Sequence, residues 1–240
     1  MRVKSYGLTD IGLKRKINQD AFACDDTAGV FVVADGMGGH QGGEVASQLA
    51  VDVIQKFCRE NTQRNARDLL NEGINLSSQQ IYDRSQSDEE LAGMGTTVLA
   101  LLFKEDSFYL GQVGDSRAYL IHENHIWQVT EDHSLLNEEL RSGRLPIGQI
   151  AQYQFKNVIT RSVGYENQVT VDIYRRKVKA GDQILMCSDG LSGLVDSKEM
   201  MDVLIEKGPE KGLKALVDLA NERGGDDNIT VVLCEVVGDE

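Results

Sequence analysis

An α+β fold is the class this sequence predicts, on three observations. Strand-like runs cluster with one another, helical patterns come in adjacent pairs, and the strict β-α-β alternation of a parallel sheet is absent. The 240 residues contain only two prolines, Pro146 and Pro209, no Ser/Gly-rich stretch and no repeat, so a single domain over 1–240 is expected.

Residues 30–34 (VFVVA) form a short β-branched run between glycines, as a strand buried on both faces requires. From Glu44 the period changes, and Ala46, Leu49, Ala50, Val53, Ile54, Phe57 and Cys58 fall on one helical face. A second helix is expected over about 66–82, followed by a loop in the polar DRSQSDEE stretch. Runs at 96–103, 107–113, 117–122 and 126–129, separated by short polar turns, predict an antiparallel meander. Residues 131–165 are irregular, with a helical stretch near 135–141, and read as a surface excursion. Strand character returns at 169–178 and 183–187. Two helices follow: Ser197 is the expected N-cap of the first, which stops at Gly208-Pro209, and the second stops at Gly224-Gly225. A last strand is expected over 229–237.

Composition narrows the function. With 25 Lys and Arg against 38 Asp and Glu, the formal charge is −13, which argues against nucleic acid or an anionic membrane as partner. An apolar content of 41% with 26% charged residues excludes disorder. No apolar run approaches the ~20 residues that span a bilayer, and the first ten residues lack a signal-peptide core, so a cytoplasmic location is expected. The four cysteines fit no CxxC pattern, and three of them sit in apolar surroundings expected to bury them as inert thiols.

The informative feature is the placement of four acids. Asp35, Asp115, Asp189 and Asp227 each lie beside a glycine-containing turn at the end of an apolar run. One such Asp is ordinarily a turn former. Four packed together repel one another and lose hydration, so they need a countercharge, which a divalent cation supplies most simply. All-oxygen donors select Mg²⁺ or Mn²⁺ over zinc, and a pair of such ions acidifies water and clamps a transferring phosphoryl group. Hydrolysis of a phosphate ester is the reaction this suggests.

Seven motifs carry a resemblance: RKINQD (15–20), VVADGMGGHQGGEVAS (32–47), MGTT (94–97), VGDSR (113–117), EDHS (131–134), CSDGL (187–191) and GGDDNITVV (224–232). Their order resembles that of the metal-dependent Ser/Thr protein phosphatases of the type 2C family, especially the compact bacterial members. The resemblance implies a central sandwich of two antiparallel sheets flanked by helix pairs, with a flap at about 135–164 near the active site. It also implies two Mn²⁺ or Mg²⁺ ions, with Asp35 bridging them, the Gly36 carbonyl on the second and Asp189 and Asp227 on the first. Asp115 resembles the ligand of a third ion.

By the same resemblance Asp20 positions the attacking water, Arg15 holds the substrate phosphate, and His40 is the candidate general acid for the departing alkoxide. His133 is a second choice with a mainly structural precedent, and His122 and His125 flank a hairpin turn. Metal-activated water would attack phosphorus directly, with no phosphoenzyme. Cys187 precedes Ser188-Asp189 but lacks the CxxxxxR cradle of a thiol phosphatase.

The implied substrates are phosphoserine and phosphothreonine proteins, with a cognate Ser/Thr kinase as a possible partner and a monomer as the default. Two features depart from the family pattern: LPIGQIAQYQFKN in the flap lacks the acids and His-Pro of many bacterial relatives, and Asp226 stands where a basic residue is common. A catalytically dead binding relative expects a lost metal acid, and none of Asp35, Asp189 and Asp227 is lost. A small-molecule phosphatase or a regulator of a partner-switching module would use the same metals.

Overall fold

The computed structural model describes residues 2–38, 42–155 and 157–238. Among the described residues eleven strands form two antiparallel sheets. The first holds β1 (Arg2–Asp10), β7 (Arg117–His122), β8 (His125–Gln128), β10 (Gln183–Cys187) and β11 (Ile229–Val237), in the order β1-β11-β10-β7-β8. The second holds β2 (Asp20–Asp25), β3 (Val30–Met37), β5 (Val98–Lys104), β6 (Ser107–Val113) and β9 (Asp172–Lys177), in the order β2-β3-β5-β6-β9, with the two-residue β4 (Gly95–Thr96) on β3. Helices α1 (Gly42–Glu60) and α2 (Ala66–Ser87) cover the second sheet, and α5 (Ser197–Lys207) and α6 (Pro209–Glu222) cover the first. Two short α-helices, α3 (Leu135–Arg141) and α4 (Asp189–Ser192), and two 3-10 turns, Glu89–Leu91 and Ile147–Gln152, are also present.

Side-chain alternation builds the layers. Along β3, Val30, Val32 and Ala34 face the α1/α2 layer while Phe31 and Val33 enter the core between the sheets. Along β11, Ile229, Val231 and Leu233 face α5/α6 while Val232, Cys234 and Val236 meet the opposite sheet. A strand covered on both faces has no polar side to display, which is why these segments read as continuous apolar runs. Cys58, Cys187 and Cys234 are buried, as expected.

Four expectations change. The polar stretch after residue 82 is helical as far as Ser87, because Ile81 and Ser85 continue the buried face and the hydroxyls of Ser85 and Ser87 donate to Tyr82 O and Arg84 O. The first of the two late helices is capped by Asp196, which forms a reciprocal capping box with Glu199, so Ser197 is the first helical residue. The strand expected over 169–178 is shorter, at Asp172–Lys177. The meander does not exist as one unit: β5 and β6 pair in one sheet and β7 and β8 in the other. The chain changes sheets at Gly114-Asp115-Ser116, where Gly114 adopts φ 103°. That crossing carries Asp115 out of the ladder toward the other sheet.

Candidate active site

Antiparallel pairing brings the C-terminal ends of β3, β6 and β10 to the same rim as the N-terminal ends of β2 and β11. Asp20 and Asp35 stand directly opposite each other in the β2–β3 register. Asp115 follows β6, Asp189 opens α4 two residues after the end of β10, and Asp227 precedes β11. The two sheets meet here through a hydrogen bond from Ser188 Oγ to Asp20 Oδ2 at 2.7 Å. An open cavity of about 380 Å³ lies over Asp115, Asp189 and Asp227, with Arg117, Asp132 and Asn157 on its wall.

The electrostatics follow from this crowding. Burial, then the negative charges of Asp20, Asp189, Asp227 and Asp115, hold the Asp35 carboxyl well above the usual carboxylate range. Burial pushes Asp20 up to about 6, against hydroxyl donors from Thr230 and Ser188. Asp115 is pushed to about 7 by burial and then by Asp189 and Asp132. Asp189 is raised by burial and by Asp227. All four shifts report one condition: buried negative charge gathered in excess of the countercharge that Arg15 and Arg117 supply.

A hard divalent cation meets that condition. Among the described residues no three acidic, histidine or cysteine side chains already stand as a closed ligand set. The donors nevertheless fit: they are all oxygen, and Asp20 Oδ1 and Asp189 Oδ1 are buried with no partner at all. Gly36 sits where backbones converge, and a Cβ there would lie 2.0 Å from Gly43 O and 2.6 Å from Gln19 O. Only glycine lets β3 continue past Asp35 at that approach.

Arg15 reaches the same rim, with Nη2 2.6 Å from Asp227 Oδ2. Its neighbour Lys14 pairs with Asp226 on the surface, which accounts for an acid at position 226: it has its own cation. His40 lies outside the described residues. His133 is buried, accepts at Nδ1 from Gly114 N (3.0 Å) and faces Asp172 Oδ2 with Nε2 (3.0 Å). Burial lowers its pKa, and its contacts fasten the β6–β7 crossing, in keeping with a structural role. His122 and His125 are paired across the β7–β8 turn, at the end of β7 far from Asp189, where His122 Nδ1 pairs with Asp182 Oδ1 at 2.5 Å. The Cys187 thiol is pushed up to about 12 by burial, the opposite of an activated nucleophile.

Three supporting residues escaped the sequence reading. Ser188, fully buried, both donates to Asp20 and accepts from Thr230 N (3.0 Å). Asn228 ties the RKINQD loop to the Asp227 turn, donating to Ile11 O (2.9 Å) and Ile17 O (3.1 Å) and accepting from Gln19 N (2.8 Å). Thr97 donates its N–H to Asp35 O (2.8 Å) and accepts from Asp35 N at Oγ1 (3.0 Å). All three lie inside the quoted motifs, but a hydroxyl or amide adjoining an acid signals nothing in sequence until its partner, distant along the chain, is known.

The chain matches the family model described as protein phosphatase 2C over residues 14–214. A putative protein phosphatase 2C-type of Streptococcus pyogenes is 39% identical over 232 residues, 94% of each chain. The Mycobacterium tuberculosis serine/threonine phosphatase PstP/Ppp superposes with a TM-score of 0.93 at 29% identity, covering 99% of this chain and 100% of that one. A PstP catalytic domain in complex with two manganese ions superposes with a TM-score of 0.89 at 30% identity, covering 99% of both chains.

Proposed function

The chain belongs to the protein phosphatase 2C family and is a metal-dependent protein Ser/Thr phosphatase, and from that premise we propose the roles of its site residues. Asp35, Asp189 and Asp227, with the Gly36 carbonyl, would hold two Mn²⁺ or Mg²⁺ ions, and Asp115 would serve a third. When bound, the ions neutralise the acids, withdraw charge from the phosphoryl oxygens and acidify the attacking water. Asp20, held by Ser188, accepts a hydrogen bond from that water and sets its direction toward phosphorus. Arg15, freed from Asp227, binds two phosphoryl oxygens, for which a planar guanidinium is suited. His40 gives a proton to the leaving serine or threonine oxygen.

The observation that carries this reading is the pair of unpartnered buried oxygens, on Asp20 and Asp189, within one group of five acids. Mn²⁺-dependent release of phosphate from phosphoserine and phosphothreonine peptides, abolished by D35N and D227N, tests it. Full turnover by D227N would overturn the ligand assignment.

Its substrates are phosphoproteins. We place beside them a cognate Ser/Thr kinase whose action this enzyme reverses, a monomeric cytoplasmic enzyme, and a single catalytic domain with a flap at 135–164. Among the described residues no helix is long and apolar enough to cross a membrane.

A further inference from the structure

β9 ends its sheet. It pairs with β6 on one side, and among the described residues no strand lies on the other. Free N–H and C=O groups along such an edge are a template for another chain. The charge on this edge is unusual for the molecule. Residues 174–179 read YRRKVK, four cations in six positions with no acid, in a chain of net charge −13.

These cations are poorly compensated. Arg175 lies over the Tyr109 ring at 5.4 Å, and Arg176 donates to Arg175 O at 2.8 Å. Neither has a carboxylate partner among the described residues, and Lys177 has only the exposed Asp106 at 3.0 Å. Several arginines elsewhere are matched, as Arg117 is by Asp132, Arg144 by Glu139 and Arg223 by Glu199.

The neighbouring edge adds an aromatic rim. β8 ends the other sheet on the same flank, and Trp127, opposite Leu120 in register, is 49% exposed and stacked on His125. Trp127 shares its face of the sheet with Leu120, and Leu120 and Tyr174 both pack on the core between the sheets. β9 also has a direction relative to the acids. It starts at Asp172, bonded to His133, which is itself bonded to Gly114 beside Asp115, and it runs six residues, about 20 Å, away from that rim.

Resting on the phosphatase reading above, we propose that β9 docks an extended acidic segment of the phosphoprotein substrate. The segment adds antiparallel, as every strand pair in both sheets does. Its C-terminal end then points to the catalytic rim, so the acids that meet Arg175, Arg176 and Lys177 lie N-terminal to the phosphorylated residue. Main-chain hydrogen bonds supply affinity, and the cation strip selects the partner.

The test compares an aryl phosphate, a phosphoserine peptide with four glutamates N-terminal to the phosphoserine, and the same peptide with glutamines, on wild type and R175E/R176E. At low salt the wild type should show a KM about tenfold lower for the glutamate peptide, as several partly exposed charge pairs supply. R175E/R176E should erase that preference while keeping aryl phosphate turnover, and R175Q/R176Q should reduce it. The chain's single tryptophan gives a readout free of catalysis: an unphosphorylated glutamate peptide should shift Trp127 emission saturably in wild type and not in R175E/R176E.

Equal KM values for the two peptides on wild type would overturn the proposal. So would survival of the preference in R175E/R176E, a preference for glutamates placed C-terminally, or an emission change given by single-stranded RNA or anionic vesicles and not by the peptide. Absence of aryl phosphate turnover by wild type with Mn²⁺ would instead sink the phosphatase reading itself.

Discussion

Asp189→Asn should raise the stability of the metal-free protein and remove its response to manganese, two changes of opposite sense from one substitution. Asp189 Oδ1 is buried without a hydrogen-bond partner, and burial and then the charge of another acid, Asp227, raise the pKa of its carboxyl. Asparagine keeps the shape, removes the charge and adds an N–H that can donate to Asp35. Relief of an uncompensated buried charge is worth about 1–3 kcal/mol. At ~2.1 cal/mol/K per residue, unfolding 240 residues has an entropy near 0.5 kcal/mol/K, so the metal-free variant should melt about 2–6 °C above wild type.

Manganese acts in the other direction. An ion at about 100 times its dissociation constant adds about 2.7 kcal/mol per site, or about 5 °C, to wild type. The variant should lose most of that gain. Calorimetry of both proteins, with chelator and with Mn²⁺, reads all four melting temperatures. A variant that melts below wild type with chelator and still rises with manganese would refute the argument, because that is the behaviour of a residue that only supports the fold.

Ser188→Ala leaves Thr230 N and a second Asp20 oxygen unpaired in a buried place, so urea denaturation should show a loss of about 1–3 kcal/mol, and water positioning by Asp20 should suffer with it. His40→Ala should slow phosphoserine peptides far more than an activated aryl phosphate, whose leaving group needs no proton; an equal loss on both would remove His40 as general acid. The pH dependence of His133 has a defined sign. Its folded pKa lies below the ordinary 6.5, so the unfolded chain binds the extra proton, and the stabilisation is present above pH 6.5 and lost as pH falls from there through the folded value. Asn at 133 keeps the acceptor for Gly114 N, so the stability difference between wild type and H133N should shrink on acidification below pH 6.5; a difference independent of pH would refute the neutral assignment.

What sequence could reveal depended on the range of the interaction. The bounds of β10 and β11 were legible because both faces are covered and every residue in the run is constrained. The acids were legible as a group because each ends such a run. β1 and β2 were not, since β1 is an edge strand whose alternation is half exposed and β2 mixes an acid, alanines and a cysteine. The break in the meander was hidden for a different reason: short polar turns within a sheet and between sheets look alike, and only the pairing of β7 with β10 decides. Ser188 and Asn228 belong to the same class, silent until residues some 170 and 210 positions away fold against them.

The crossing at Gly114 has a mechanical consequence. Asp20, Asp35 and Asp115 hang from one sheet, while Asp189 and Asp227 hang from the other. Ions shared among them would rivet two layers that are otherwise joined at this rim by the β6–β7 crossing and a few hydrogen bonds such as Ser188 to Asp20. The loaded enzyme should be stiff at its working end and the stripped one compliant there, while the far end of the sandwich, around the β2–β3 turn, would hardly register the difference. Amide exchange at the β10–β11 rim would then track the divalent ion concentration in the cell as directly as turnover does.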